Sequence, residues 1–319
     1  YKKTKKEKNR KTAETAGQIA KILLTTALPI IAGTAVFSIT NLIDMNMVMR
    51  ILEGSGHTHQ QAQDLYGQLS GKYVTLTTLP VSISTAVATA AIPSIAASAR
   101  LRQKQQVKRK MNMTLRVSMI ISVPAGVGIG VLGDSIVKML FPHATEGGIL
   151  LTVGSVSIIF LALCQTVTGV LQGIGHVKIP VIGAILGAIV KVILNALLIG
   201  IPSINVIGAV ISTTGCYMVA SLFNLCMLSR IMKVHIDLLG SLFKPLIGSF
   251  VMGVVCFLTY KGLFALLNSN TFATIFAIMI GVIIYGLVML LIGGIKEADL
   301  MTMPMGGRLV RICRACRLM

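Results

Sequence analysis

The stretch Ile22–Leu52 constrains the fold of this chain more than any other part of the sequence. At about 1.5 Å per residue, a helix of this length crosses the roughly 30 Å hydrocarbon core of a bilayer. Its second half nevertheless contains Asn41, Asp44 and Arg50. A charge near the centre of a bilayer costs about 2.5–3.5 kcal/mol. We therefore expect this helix to cross the membrane and to turn one side toward a polar surface inside the protein.

Further apolar stretches of spanning length follow the first one. Hydrophobic residues make up 54% of the 319-residue chain and charged residues only 12%, about half the charged share of a soluble domain. We predict an all-α, polytopic membrane protein with about eight transmembrane helices. The remaining predicted spans are 65–97, 113–140, 148–173, 179–201, 205–228, 242–266 and 272–294.

The basic residues are distributed unevenly along the chain. The net charge of +19 could indicate a nucleic-acid-binding protein, but the chain has no Trp and few aromatic residues on which bases could stack. If the N-terminus is cytoplasmic, 24 of the 29 Lys and Arg residues fall in cytoplasmic segments, as the positive-inside rule requires. We predict cytoplasmic N- and C-termini, a basic arm at 1–21 that contacts anionic lipids, a cytoplasmic tail at 295–319, and no nucleic-acid partner.

Catalytic residues are not recognisable in the sequence. The stretch GQLSGKY at 67–73 has the wrong spacing for a phosphate-binding loop and ends in Tyr where such a loop has Ser or Thr. Of the ten acidic residues, only Asp44 lies well inside a predicted span, so paired carboxylates for glycosyl transfer are missing. We therefore expect no enzyme activity, no cofactor and no bound metal.

Polar residues at predicted membrane depth are the candidate functional residues. Asn41 and Asp44 are three residues apart, and Lys191 and Asn195 are four apart, so each pair shares one helix face. One interpretation is a cavity that binds an anionic, hydroxyl-rich head group through the basic residues. In the other, Arg50 and Lys72 extend to the outer interface, and Asp44 pairs with a neighbour. The predicted cavity residues are Asn41, Asp44, Arg50, Lys72, Lys191 and Asn195.

Several stretches resemble a known family of flippases. The seventh helix of the stage V sporulation protein B group of polysaccharide and lipid-linked oligosaccharide flippases is similar to LPIIAGTAVFSITNLIDMNMVMRIL. The next helix of that group is similar to LYGQLSGKYVTLTTLPVSISTAVATAAIPSIAAS. Its tenth-to-eleventh helix turn resembles VLQGIGHVKIPVIGAILGAIVKVILNALLI, followed by INVIGAVISTTGCYMV. The resemblance extends over roughly residues 20–295.

The resemblance implies a fold of two six-helix lobes around a central cavity, known from multidrug/oligosaccharidyl-lipid/polysaccharide flippases. Residues 22–228 would form the C-terminal lobe and 229–294 an extra helix pair, which in lipid II flippases helps to form a groove for the lipid tail. Arg50 and Lys191 would face the cavity. An N-terminal lobe would then come from a longer chain or from a separate polypeptide.

The function implied is the movement of an undecaprenyl-linked oligosaccharide or peptidoglycan precursor across the bacterial cytoplasmic membrane by alternating access. A cation-coupled multidrug exporter of the same fold, with Asp44 as the coupling carboxylate, is the second hypothesis. The excess of basic residues at membrane depth favours an anionic substrate over the hydrophobic cations of such an exporter. The third hypothesis is a truncated remnant that inserts into the membrane without transporting anything.

Overall fold

A computed structural model describes the backbone of residues 16–233 and 238–294, and all of its regular structure there is helical. The helices are α1 (Ala16–Gly54), α2 (His59–Gly67), a π-helical segment (Gln68–Val74), α3 (Thr75–Arg100), α4 (Lys104–Leu140), α5 (Gly148–Gly173), α6 (Lys178–Leu198), α7 (Ile207–Met232), α8 (Leu238–Leu267) and α9 (Asn270–Leu291). The predicted all-α fold is confirmed. Most of the predicted basic arm and the whole of the predicted tail lie outside the described residues.

Seven helical stretches within the described ranges are long and apolar enough to cross a membrane. They are α2 and α3 as one continuous stretch, α4, α5, α6, α7, most of α8, and α9. The chain is thus a multi-pass membrane protein. α1 is not among the seven, although its 39 residues exceed the length that a crossing requires, and the crossing by α1 stays a prediction.

The connection between α1 and the next span is shorter than the predicted gap between residues 52 and 65. Helix α2 begins within that stretch because Thr58 and Gln61 form a capping box. The Gln61 amide donates to Thr58 Oγ1 (3.3 Å), and the Thr58 amide donates to Gln61 Oε1 (2.9 Å). These two bonds satisfy backbone donors that a helix start leaves free. The non-helical part of the connection is therefore limited to 55–58.

The helices pack in a row rather than around one axis. α1 packs on α6, α6 on α7, α7 on α5, and α5 on both α3 and α4. The pair α8–α9 packs against α4 on the other side of the bundle. Among the described residues, α1 and α3 make no substantial contact along their lengths. In this row α6, α7 and α5 come between α1 and α3.

Close helix contacts occur where the sequence spaces glycines four residues apart. A Cβ at Gly130 would lie 2.8 Å from Ser155 Oγ on α5, and one at Gly187 would lie 2.8 Å from the Cys216 carbonyl oxygen on α7. A Cβ at Gly169 would lie 2.7 Å from the Ile92 side chain on α3. Only a residue without a side chain allows these backbones to approach so closely. These glycine spacings therefore serve helix packing.

Candidate transport site

A buried ion pair joins α1 to α6 in the interior of the bundle. Lys191 Nζ lies 3.0 Å from Asp44 Oδ2, and Asn195 Nδ2 donates to Asp44 Oδ1 at 2.6 Å. The three residues are 5%, 8% and 1% exposed, respectively. Lys191 and Asn195 reach the same carboxylate because they are one helical turn apart on the face of α6 that packs against α1. These three residues are among the six that the sequence predicted for the cavity, and the structure brings these three together.

The ion pair between Asp44 and Lys191 compensates the charges of this cluster. A carboxylate and an ammonium that are both removed from water each need a partner, and here each is the partner of the other. Asn195 Oδ1 is buried without a hydrogen-bond partner in the described part of the chain. In this conformation the Lys191 ammonium is therefore engaged by Asp44, and the cluster carries no net positive charge.

The two other candidates on α1 do not join this cluster. Asn41 and Arg50 are both exposed, because the face of α1 that contains Thr40, Asp44 and Val48 is the face packed against its neighbours. Within the described residues Arg50 forms no ion pair. Among the three predicted basic cavity residues, Arg50 is thus the exposed one, whereas Lys72 and Lys191 are buried.

Lys72 is placed at one end of the bundle by the π-helical segment. Its Nζ donates to the carbonyl oxygens of Ala144 (2.6 Å) and Glu146 (2.7 Å) and lies 5.4 Å from the centre of the Phe141 ring. These three residues belong to the connection between α4 and α5. Lys72 is separated from the Asp44 cluster and holds this connection, and its predicted role in substrate binding stays a prediction.

A polar surface on α3 was not among the predicted site residues. Thr78, Ser82, Thr85 and Thr89 recur every three or four residues and form what we call the α3 hydroxyl face. Thr78, Ser82 and Thr89 each donate their proton to a carbonyl of their own helix, and Thr85 also lies 2.6 Å from Gln165 Oε1 on α5. Their lone pairs remain to accept hydrogen bonds from a ligand. The helical spacing of Ser and Thr was the signal that could have found this face.

An apolar groove opens on the other side of the bundle, where α8 and α9 meet α3 and α4. Its cavity volume is about 490 Å³, and its wall is almost entirely hydrocarbon. Residues from all four helices line it, among them Leu79, Pro80, Ile121, Pro124, Met252 and Val282. A groove of this composition can hold an acyl or isoprenoid chain but offers nothing to a sugar.

Comparison with known proteins identifies the family. A family model described as lipid II flippase MurJ matches residues 2–285 of the chain. The chain belongs to the MurJ lipid II flippase family. Its assignment to the stage V sporulation protein B group stays a prediction.

Two relatives of this MurJ-family chain come from Bacillus subtilis (strain 168). The uncharacterized membrane protein YabM is 31% identical over 182 residues, which cover 55% of this chain and 33% of YabM. Lipid II flippase MurJ is 25% identical over 213 residues, which cover 65% of this chain and 38% of that protein. The aligned parts thus cover well under half of the length of each relative, 33% of YabM and 38% of MurJ.

Solved structures agree on the fold. The lipid II flippase MurJ in its inward closed conformation superposes with a TM-score of 0.66 at 18% identity, over 84% of this MurJ-family chain and 54% of that one. An outward-facing multidrug resistance MATE family transporter of the MOP superfamily superposes with a TM-score of 0.51 at 17% identity, over 88% of this chain and 64% of that one. The helix arrangement is therefore that of MOP-superfamily transporters.

Proposed function

We propose that this chain forms the C-terminal part of a flippase that moves a lipid-linked precursor of the cell wall or of another polysaccharide across the bacterial cytoplasmic membrane. The observation that carries the proposal is the apolar groove between α3, α4, α8 and α9. A transporter of water-soluble or small amphiphilic drugs has no need of a separate long apolar groove beside its polar surface. A substrate with a sugar at one end and a long hydrocarbon chain at the other needs both a polar surface and an apolar groove.

The head group would be bound in a cleft between α1 and α3, two helices that make no substantial contact with each other in the described part of the chain. The α3 hydroxyl face offers acceptors to the hydroxyl and amide protons of a sugar or a peptide. Arg50 would pair with the phosphates, since a guanidinium binds phosphate oxygens in a bidentate manner. Membership in the MurJ family supports a lipid-linked substrate such as lipid II.

Transport would require a second lobe opposite this one. The sides of α1 and α3 that border the cleft would form one wall of a cavity, and an N-terminal lobe, in the same polypeptide or in a separate one, would form the other. Rocking of the two lobes would expose the cavity to each side of the membrane in turn.

The buried ion pair favours this proposal over a cation-coupled drug exporter. In such an exporter Asp44 would have to release and accept a cation during each cycle. Here its carboxylate is already compensated by Lys191 and bonded by Asn195. A coupling role for Asp44 would require the ion pair to separate first.

The test is outward movement of a fluorescent undecaprenyl-pyrophosphate sugar in proteoliposomes. We expect the chain together with an N-terminal lobe of a MurJ relative to move the substrate and the chain alone to be inactive. Arg50→Ala should lower the initial rate about tenfold, which corresponds to one lost charge-assisted contact. Lys261→Ala is the matched control, because Lys261 is an exposed ammonium on α8 whose contact is with the Phe257 ring.

Two outcomes would contradict the proposal. Export of cationic dyes by the reconstituted pair, abolished by Asp44→Asn and without movement of lipid-linked sugars, would identify a drug exporter. An Arg50→Ala variant that transports as fast as the Lys261→Ala variant would show that Arg50 does not bind the phosphates of the substrate.

A further inference from the structure

Gln165 on α5 places a polar amide on the surface of a helix that is apolar and long enough to cross the membrane. Its side chain is exposed, and it lies eight residues before the end of α5 at Gly173, which corresponds to about 12 Å along the helix axis. An amide that faces hydrocarbon without a hydrogen-bond partner is costly at this depth. We therefore expect Gln165 to face a polar surface rather than lipid.

The oxygen of this amide is engaged by α3. The Thr85 hydroxyl has one proton, which it shares between Gln165 Oε1 (2.6 Å) and the carbonyl oxygen of Val81 on its own helix (2.8 Å). Within the described residues Gln165 Nε2 donates to no other group. The amide thus keeps two free N–H donors beside the α3 hydroxyl face, which offers acceptors. Together α3 and α5 present both kinds of hydrogen-bonding group.

An aromatic ring lies about one helical turn from the Thr85–Gln165 pair. Tyr217 on α7 is partly exposed and packs against a buried cluster that includes Val81 on α3 and Leu161 on α5. Val81 is four residues before Thr85, and Leu161 is four residues before Gln165. Four residues correspond to about 6 Å along a helix. The aromatic ring, the amide and the hydroxyl therefore come together where α3, α5 and α7 meet.

The hydroxyl of Tyr217 has no hydrogen-bond partner in the described part of the chain. The hydroxyls of Tyr73, Tyr260 and Tyr285 each bond to another residue of the protein. A tyrosine that packs among apolar side chains usually finds such a partner. Tyr217 thus has a partly exposed ring and a hydroxyl that are both available to a ligand.

These groups have the chemistry of a sugar-binding site. The C–H groups on one face of a sugar ring can pack on an aromatic ring, and its hydroxyl groups both donate and accept hydrogen bonds. Thr85, Gln165 and Tyr217 are uncharged, so a phosphate would gain none of the charge-assisted bonds that a cation provides. A hydrocarbon chain would leave the amide and the hydroxyls without partners. A sugar ring is therefore the occupant that uses all three side chains.

We propose that Tyr217 and the Thr85–Gln165 pair form a subsite for one sugar ring of the lipid-linked substrate. The sugar stacks on the ring of Tyr217, and Gln165 Nε2 donates to one of its oxygen atoms. This inference rests on the proposed function and assigns the sugar to residues other than Arg50, which binds the phosphates in that proposal. Loss of the subsite therefore affects a carrier lipid that bears a sugar and spares the same lipid without one.

The experiment measures binding of two radiolabelled lipids to the full chain in phosphatidylcholine nanodiscs. One is undecaprenyl-pyrophosphoryl N-acetylglucosamine, and the other is undecaprenyl pyrophosphate, which carries no sugar. We expect Gln165→Leu to weaken binding of the sugar lipid about fivefold and Tyr217→Leu about tenfold. Binding of undecaprenyl pyrophosphate should change less than about twofold in both variants.

The matched control is Gln63→Leu, which removes an exposed amide from α2, outside the subsite. It should change binding of either lipid less than about twofold. Tyr217→Phe separates the ring from the hydroxyl, and we expect it to weaken binding of the sugar lipid by no more than about threefold. Gln165→Leu keeps the test valid if Tyr217→Leu folds poorly, because Gln165 is exposed and Thr85 retains its bond to the Val81 carbonyl.

The inference is overturned if Gln165→Leu and Tyr217→Phe bind the sugar lipid as tightly as the unchanged chain does. It is also overturned if Gln165→Leu weakens binding of both lipids equally, since the amide would then act on the carrier and not on the sugar. The transport assay separates the two proposals. Transport of lipid-linked sugars with unchanged preference in Gln165→Leu removes the subsite and leaves the proposed function. Sugar binding that depends on Gln165, without transport of lipid-linked sugars, supports the subsite and removes the proposed function.

Discussion

Asp44 and Lys191 show how two charges are accommodated inside a membrane protein. Each would be prohibitively costly alone at this depth, and together they form a pair that Asn195 completes with a hydrogen bond. Such a pair adds little net stability compared with apolar residues of the same size, but the loss of one partner leaves a buried charge. The pair therefore fixes which face of α1 packs on α6.

The first prediction tests this asymmetry. Lys191→Met should destabilise the protein by about 3–5 kcal/mol because the Asp44 carboxylate loses its counter-ion, and the double variant Asp44→Asn/Lys191→Met should recover most of that loss. A thiol-reactive dye can follow thermal unfolding, since Cys164, Cys216 and Cys256 are buried.

The exposed pair Lys138–Asp134, with side chains 48% and 61% exposed, provides the control. Lys138→Met should alter stability by less than about 1 kcal/mol, because exposed pairs contribute little. A double variant at Asp44 and Lys191 that is as unstable as Lys191→Met alone would show that the two charges are not coupled.

At the scale of single elements, the π-helical segment Gln68–Val74 has the clearest structural role. It brings Lys72 to the α4–α5 connection and Tyr73 to α5, where Tyr73 OH bonds to Ser157 Oγ at 2.8 Å. The ring of Tyr73 lies where a side chain at position 154 would be, so Gly154 is required there. This irregular segment thus connects the start of α3 to α5 and to the α4–α5 connection.

The second prediction concerns the α4–α5 connection. Lys72→Met removes two charge-assisted bonds to backbone carbonyls, each worth about 1.5–3 kcal/mol, and should let residues 141–147 open more often. Amide hydrogen exchange in that segment should become at least tenfold faster, while exchange in α5 stays unchanged. Lys261→Met, which removes an exposed ammonium from α8, should leave the segment as it was. Equal acceleration throughout the chain would mean that Lys72 stabilises the whole fold rather than this connection.

At the scale of the whole molecule, the antiparallel packing of successive helices divides the connections between two sides. The short turns at 101–103 and 174–177 lie on one side, and the connections at 55–58 and 141–147 lie on the other. The basic residues concentrate on the first side, so by the positive-inside rule we expect that side to be cytoplasmic.

The third prediction is this orientation. In a background with Cys226, Cys313 and Cys316 changed to Ser, a membrane-impermeant maleimide applied outside intact cells should label His143→Cys and leave Arg102→Cys unlabelled. Permeabilised cells should label both. Labelling of Arg102→Cys alone in intact cells would show that the topology is the reverse of the predicted one.

The sequence by itself determined the class of fold, the helices and most of their ends. In a membrane every backbone polar group must be bonded within the protein, so an apolar stretch of sufficient length has few alternatives to a helix. Charge placement predicted an orientation because the positive-inside rule acts on each segment separately. Helical spacing also predicted correctly that Lys191 and Asn195 share a face.

Only the tertiary structure decided which neighbouring residues these helix faces contact. Lys191 pairs with Asp44 of a helix about 150 residues earlier, Lys72 is engaged by backbone carbonyls, and residues of α3, α4, α5, α8 and α9 line one apolar groove. Periodicity tells which residues share one side of a helix, but the neighbour on that side depends on how all the helices pack together. Whether a membrane-depth charge is free to bind a substrate or is already neutralised is therefore a property of the packed bundle.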